Sequence, residues 1–275
     1  MTDIRVVKVI LAERSAYLSV RQFVYTFAQV KKIAVIPARY ASSRFPGKLM
    51  QMLGDKTIIR TTYENTISTG LFDEVLVATD SEIIFSEIIR YGGKAIMSKR
   101  AHESGSDRIA EAIEGLDYEI ILNVQGDEPF VDKKTLSALL NVFADDKANV
   151  GSLMHEIYER ADIESANNVK VVVDKNLNAL FFSRSVIPYV RDKGTTVSYY
   201  KHIGIYAYRK NTLLQFTKWA PGVLEQAEKL EQLRYLENGI SIKMVLTEHA
   251  SIGIDTPADL ELARQYLSQQ ENIQA

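Results

Sequence analysis

The chain has 275 residues, 46% of them apolar, with 33 Lys and Arg against 35 Asp and Glu and a net charge of −2. That near-balance excludes the broad basic surface of a dedicated nucleic-acid binder. The lack of cysteine excludes disulfides, thiolate metal sites and cysteine nucleophiles, and no uncharged apolar run approaches the roughly 20 residues of a membrane helix.

The length fits one large α/β domain or two modest ones. Residues 1–30 include VVKVILAERSAYLSVRQFVYTFAQV, which mixes apolar residues with scattered charge. This stretch lacks the clean apolar core and small-residue cleavage site of a secretory signal. It is expected to be a peripheral extension, with an amphipathic helix, a partner-binding arm and a leader without a role all open. The fold is expected to begin at Lys31 and to form a single domain over residues 31–275.

KKIAVIPA reads as a buried strand broken by Pro37. KTIIRTTYENTIS places Ile59, Tyr63 and Ile67 on one helical face. EVLVATD is a second strand. SEIIFSEIIRYGG is a second helix with Ile84, Phe85, Ile88 and Ile89 as its stripe, Asp80 or Ser81 as its cap and paired glycines as its stop. KAIM is a short strand, and SDRIAEAIEG a helix with Ile109, Ala112 and Ile113 inward. EIILNV is a strand apolar on both faces, and KKTLSALLNVFA another helix. This alternation predicts a doubly wound, mostly parallel sheet, whose ligands bind beyond the carboxyl ends of the strands. Three polar clusters stand at those ends: PARYASSRFPGK, TDSE and QGDEPF.

The second half changes character. NNVKVVVDKNLNALFFSRS reads as two strands joined by the turn DKNLN, and HIGIYAYR and ISIKMVLTE as further strands. NTLLQFTKWA and VLEQAEKLEQLRYLENG read as helices. TPADLELARQYLSQQ closes the chain as a helix, with Thr256 as cap and Pro257 in its first turn. These elements are expected to extend the sheet with antiparallel strands and to carry a subdomain.

PARYASSRFPGK holds Arg39, Arg44 and Lys48 and no acid, which suits a polyphosphate as well as it suits a solvated basic loop. Asp127 in QGDEPF sits where a carboxylate can hold a hard cation, with Glu128 beside it; an Asp turn before a helix is the plainer reading. Asp255 in IGIDTPADL is either a helix cap or a second carboxylate for the same cation. Arg108 and His202 are candidate anchors for an anionic or hydroxylated substrate, and Arg184 ends a strand in FFSR. Glu231 and Gln232 are neighbours on the helix KLEQLRYLENG, where a solvated face is the plain alternative for Glu231.

IPARYASSRFPGK, VATD, SGSDRIAEA, NVQGDEPF, NNVKVV, FFSRSVIPY, HIGIYAYR, LEQLRYLENG and GIDTPADLELAR occur in this order over about residues 31–270. In these motifs the chain resembles the 3-deoxy-manno-octulosonate cytidylyltransferases, the CMP-KDO synthetases. The resemblance implies a mixed sheet of nucleotide-diphospho-sugar transferase type with an antiparallel dimerisation subdomain. It implies a cytoplasmic homodimer that joins CTP to the sugar acid KDO with Mg2+, releasing pyrophosphate, for lipopolysaccharide synthesis; the 8-amino form of the sugar stays open. By position it implies that Arg39, Arg44 and Lys48, with Gln125, bind CTP and that Asp127 and Asp255 hold the metal. Arg44, Lys48, Asp127 and Asp255 are then the catalytic set. Arg108, Gln125, Arg184, His202, Tyr206, Glu231 and Gln232 line the sugar pocket. The chain departs from the family in its extra residues 1–30, in KLMQMLGD where members often carry Pro after the Lys, and in the short stretch VRDKGTTVSYYKH.

Overall fold

The computed structural model describes residues 30–42, 45–102, 104–192, 194–248 and 253–274. The extension expected at residues 1–30 lies outside them, apart from Val30. The chain divides into two units, Met1–Lys31 and Lys32–Ala275, and the second carries every element that follows. In chain order these are β1 (Lys32–Ala38), β2 (Met52–Leu53), β3 (Lys56–Thr57), α1 (Ile58–Ser68), β4 (Glu74–Thr79), α2 (Glu82–Arg90), β5 (Ala95–Met97), α3 (Gly105–Ala112), β6 (Ile120–Asn123) and α4 (Lys133–Asn141). The second half adds β7 (Val150–Ile157), α5 (Arg160–Glu164), β8 (Lys170–Val173), β9 (Ala179–Ser183), β10 (Tyr199–Arg209), α6 (Lys210–Phe216), α7 (Val223–Glu228), α8 (Leu233–Glu237), β11 (Ile242–Thr247) and α9 (Pro257–Gln274).

The main sheet runs β11-β7-β10-β6-β1-β4-β5, with β8 attached to β10 and β9 to β8. β1 lies parallel to β4 and to β6, and β4 parallel to β5. β10 is antiparallel to both β6 and β7, so the sheet is mixed. Alternation along β1 sends Ile33 and Val35 into one core layer and Ala34, Ile36 and Ala38 into the other. Both faces are covered, which is why this strand needs an unbroken apolar run.

Pro37 does not break β1, which continues to Ala38. The Val35 carbonyl accepts from Val124 N–H, so the odd residues of β1 face β6. The pairing with β6 ends at Val35, and the missing N–H of Pro37 therefore falls where the ladder has already stopped.

The helices start where polar side chains satisfy their first amides. Thr57 accepts from Arg60 N–H, Ser81 from Ile84 N–H, Ser104 from Asp107 N–H and Asp132 from Thr135 N–H. Two predicted stripes need correction. In α1 the buried series is Ile59, Tyr63 and Thr66, while Ile67 is 48% exposed. In α2 Ile84 and Ile88 are buried and Ile89 is 45% exposed. The 3.6-residue turn carries the inward position from i+4 to i+7, one residue short of Ile67.

The single helix expected over VLEQAEKLEQLRYLENG is two short ones. Lys229 takes a left-handed conformation (φ 54°) between α7 and α8. Arg234 bonds Glu225 through Nε at 2.7 Å and Nη2 at 2.5 Å, a buried bidentate pair that folds one helix back on the other.

The core assignment of α1 is tested by truncation. Ile59→Ala is expected to lose about 2–4 kcal/mol in urea unfolding, and Ile67→Ala less than about 1 kcal/mol. Equal losses would contradict the helix orientation.

Candidate functional site

The loop after β6 is fixed by its neighbours before any ligand is considered. Glu128 N–H bonds the Gln125 carbonyl at 3.0 Å and closes a turn. Thr62 Oγ1 on α1 donates to the Gly126 carbonyl at 2.9 Å, and Asn65 Nδ2 to the Pro129 carbonyl at 2.7 Å. A Cβ at Gly126 would lie 3.3 Å from the Pro37 carbonyl and 3.2 Å from Leu49, so the close packing of this loop on β1 favours glycine. The Asp127 carbonyl then accepts from Ile254 N–H at 3.0 Å, which draws in the segment before α9.

At the start of α9, Thr256 Oγ1 accepts from Asp259 N–H, and Asp259 accepts from the Asp255 and Thr256 amides. Capping thus falls to Thr256 and Asp259, and the Asp255 carboxylate turns toward Asp127. Lys48 follows Gly47, whose left-handed backbone (φ 64°) opens a short helical turn. Its Nζ lies 2.5 Å from Asp127 Oδ2 and 3.0 Å from Asp255 Oδ1. Burial alone would lower the Lys48 pKa; the two carboxylates outweigh it and raise it, so the ammonium persists.

Two carboxylates from separate loops converging on one cation at the ends of β1 and β6 fit a hard divalent ion, which takes few carboxylates and completes its shell with water or phosphate oxygens. Glu128 packs beside them against Gly253, where a Cβ would meet its Oε1 at 3.0 Å. Burial, and then the charge of Asp127, push its carboxyl up to about 8. Arg39 is exposed just past the end of β1. Arg44 lies outside the described residues.

The other predicted residues gather around β10. The pairing of β10 with β7 slips between Ile203 and Tyr206, and Gly204 in that bulge faces the Gln125 side chain. Gln125 Nε2 donates to Asn123 Oδ1 at 3.0 Å. Ser152 Oγ sits inside the bulge, 3.1 Å from His202 Nε2 and 3.0 Å from the Ile205 carbonyl. The His202 ring stands 5.0 Å from Phe182 and 5.3 Å from Tyr206. Burial drives the His202 pKa down to about 3, which keeps the ring a neutral hydrogen-bonding group. Burial also pushes the Tyr206 phenol well above its ordinary value, which keeps its proton on.

Glu231 lies in the turn before α8, not on a solvated helix face, and accepts from Ser106 Oγ at 2.6 Å. Burial raises its pKa, against the hydrogen bonds of Ser106 and Ser104. Gln232 is buried as the residue just before α8. Arg108 is buried too, with Nη2 2.6 Å from Asp80 Oδ2 and Nη1 2.9 Å from Ser98 Oγ. Arg184 stands at the end of β9, with Nε on the Glu228 carbonyl at 2.9 Å and Nη1 on the Ala166 carbonyl at 3.1 Å.

The structure thus joins Lys48, Asp127 and Asp255 in one cluster, and His202 and Tyr206 in a second. Glu231 bonds α3, and Arg184 is anchored on the β8–β9 side. In the sequence Asp80 and Ser106 stand at helix starts, and their pairings with Arg108 and Glu231 span 28 and 125 residues and have no local signature.

Without divalent cations, folding takes up a proton on Glu128 between its ordinary 4.5 and about 8, so this group makes stability fall as pH rises through that window. Glu128→Gln is expected to flatten that fall. Thermal unfolding of both proteins in chelator at about pH 5 and about pH 8 reads it, and parallel slopes would contradict the assignment.

A sequence profile of the cytidylyltransferase family matches residues 33–242. The 3-deoxy-manno-octulosonate cytidylyltransferase of Flavobacterium johnsoniae is 60% identical over 241 residues, covering 86% of this chain and 99% of its own. The protein of the same name from Christiangramia forsetii is 55% identical over 239 residues, covering 86% and 96%. Among solved structures, CMP:2-keto-3-deoxy-manno-octonic acid synthetase complexed with CTP is 40% identical, covers 87% of this chain and 99% of its own, and superposes with a TM-score of 0.83. The mixed, mostly parallel sheet is the fold of that synthetase. From its profile match and from these relatives, the chain belongs to the cytidylyltransferase family.

Proposed function

We propose that this protein transfers the cytidylyl group of CTP to the anomeric hydroxyl of 3-deoxy-D-manno-octulosonate, releasing pyrophosphate and forming CMP-KDO for lipopolysaccharide synthesis. The observation that carries the reading is the Lys48–Asp127–Asp255 cluster at the carboxyl ends of the parallel strands, in a chain that spans its relatives almost end to end.

The hydroxyl oxygen of the sugar bonds to the α-phosphorus, the bond to the bridging oxygen of pyrophosphate breaks, and the hydroxyl proton leaves to solvent or a nearby base. Nothing in this step needs a covalent enzyme intermediate, so positioning and charge neutralisation carry the catalysis. Arg39, Arg44 and Lys48 neutralise the triphosphate. Asp127 and Asp255 are the residues that would hold Mg2+, which when bound would polarise phosphate oxygens and offset developing charge.

The sugar pocket is read from Arg108, Gln125, Arg184, His202, Tyr206, Glu231 and Gln232. His202 and Tyr206 are uncharged at neutral pH and suit the hydroxyls of a sugar. Arg184 suits its carboxylate, because a guanidinium can bind both oxygens at once. Arg108 already pairs with Asp80 and contributes through that pair.

The homodimer belongs to the same reading. Tyr158, Leu180 and Tyr189 are 75%, 61% and 87% exposed in the second half of the chain, apolar side chains of the kind a partner covers. No helix among the described residues is long and apolar enough to cross a membrane, which suits a cytoplasmic enzyme working on water-soluble substrates.

Pyrophosphate release with CTP and Mg2+ tests the reading, with KDO, 8-amino-KDO and N-acetylneuraminate offered in parallel. Release with KDO is expected. Release with one of the others alone would keep the chemistry and change the sugar, and silence with all three in folded protein would overturn the function. Asp127→Asn is expected to lower kcat by about 100- to 1,000-fold while the unfolding temperature stays close to that of the parent. A rate near the parent's at saturating Mg2+ would remove Asp127 from the metal site.

A further inference from the structure

Lys170 begins β8 and is fully buried, with a relative exposure of 0%. Its ammonium has three N–H donors, and the three partners it finds are backbone carbonyls. Nζ lies 2.8 Å from the Ser165 oxygen, 2.7 Å from the Asn168 oxygen and 2.6 Å from the Arg184 oxygen. Burial, with the charge of Arg184, holds its pKa below the ordinary lysine value, while Glu228 works the other way. A cation out of water on neutral acceptors is an unfavourable way to close a surface turn. Some other demand has to keep it there.

The three carbonyls show what that demand is. Ser165 and Asn168 bracket the turn whose Ala166 oxygen accepts from Arg184 Nη1 at 3.1 Å. The third carbonyl belongs to Arg184 itself. Glu228 completes the seat, with Oε2 accepting from Arg184 N–H and its carbonyl from Nε. Next to Lys170, the Val169 carbonyl accepts from His202 N–H at 2.8 Å. One buried ammonium thus fixes both the backbone that carries Arg184 and the turn that aims its guanidinium.

We infer that Lys170 is a positioning residue for the sugar acid, acting through Arg184: it sets the guanidinium that takes the substrate carboxylate. This rests on the reading of Arg184 as the carboxylate anchor. The CTP side shares none of the Lys170 bonds, because Lys48, Asp127 and Asp255 are held by α1 and the start of α9.

The test measures KM for KDO, KM for CTP and kcat in Lys170→Met, Lys170→Arg, Arg184→Ala and the double variant Lys170→Met/Arg184→Ala. Lys170→Met removes all three donors at similar length. Lys170→Arg keeps the charge and carries the test if the methionine variant does not fold. Lys170→Met is expected to raise KM for KDO by about 10-fold or more, Lys170→Arg by less, and both to leave KM for CTP within about twofold. The double variant is expected to match Arg184→Ala, because the two residues act as one unit.

Three results would overturn the inference. Lys170→Arg, and Lys170→Met where it folds, could leave KM for KDO unchanged. The effects of Lys170→Met and Arg184→Ala could multiply. KM for KDO and for CTP could rise together in both lysine variants, the mark of a general structural role. If instead the parent does not use KDO, or Arg184→Ala keeps the parental KM, the reading of the sugar pocket fails first, and the pattern of variants shows which of the two was wrong.

Discussion

The site depends on one electrostatic constraint: two carboxylates must be held close together without a fold that pushes them apart. Asp127 stands 79 residues and Asp255 207 residues from Lys48 in sequence, and the three meet at the ends of two strands. Like charges this close repel strongly in a partly dry loop cluster. The Lys48 ammonium offsets that repulsion, and the Ile254–Asp127 backbone bond fixes the separation. Glu128 shows the same constraint from the other side. It is a third acid in the same place, and burial beside Asp127 keeps its proton on well above the usual range.

The α1 contacts that fix the Asp127 loop are backbone-directed. Thr62 and Asn65 reach carbonyls of the loop after β6, and Thr62 belongs to a run of threonines that also return hydrogen bonds to their own helix. Those back-bonds satisfy hydroxyls that would otherwise be buried without partners, and they let a β-branched sequence form α1. Ile58, Ile59 and Tyr63 anchor it to the core, and the polar residues between them clamp the loop that carries Asp127.

Much of this was legible in the chain. The apolar runs of β1 and β6, the caps at Ser81 and Thr256, the turn between β8 and β9 and the strand-end clusters all have local causes, and the structure places them as the sequence suggests. The misreadings share a different origin. Ile67 and Ile89 look inward by simple four-residue spacing, but the helical drift turns them outward. The helix over residues 223–239 is continuous by composition, yet the buried Glu225–Arg234 pair folds it at Lys229. Glu231 has a solvated helix face as its plain local alternative because its partner, Ser106, is 125 residues away. Interactions that span the chain leave no trace in a window of ten residues. The role of each site residue stood on family resemblance, since no spacing rule distinguishes Arg184 from any other arginine at a strand end.

The two halves of the site solve opposite problems. Around Lys48 the groups are charged, close and mutually compensating, as a polyphosphate and its counter-ion require. Around β10 burial moves three groups toward their neutral forms: His202 down, Tyr206 and Glu231 up. The arginines Arg108 and Arg234 in that half are matched to Asp80 and Glu225. Arg184 differs, because its guanidinium bonds run to carbonyl oxygens while the nearby Glu228 carboxylate is held by the Arg184 backbone N–H. If these residues take the sugar as proposed, neutral hydrogen-bonding groups around one guanidinium favour a polyhydroxylated acid over a neutral sugar, because a neutral ligand would desolvate that charge without adding a carboxylate to it.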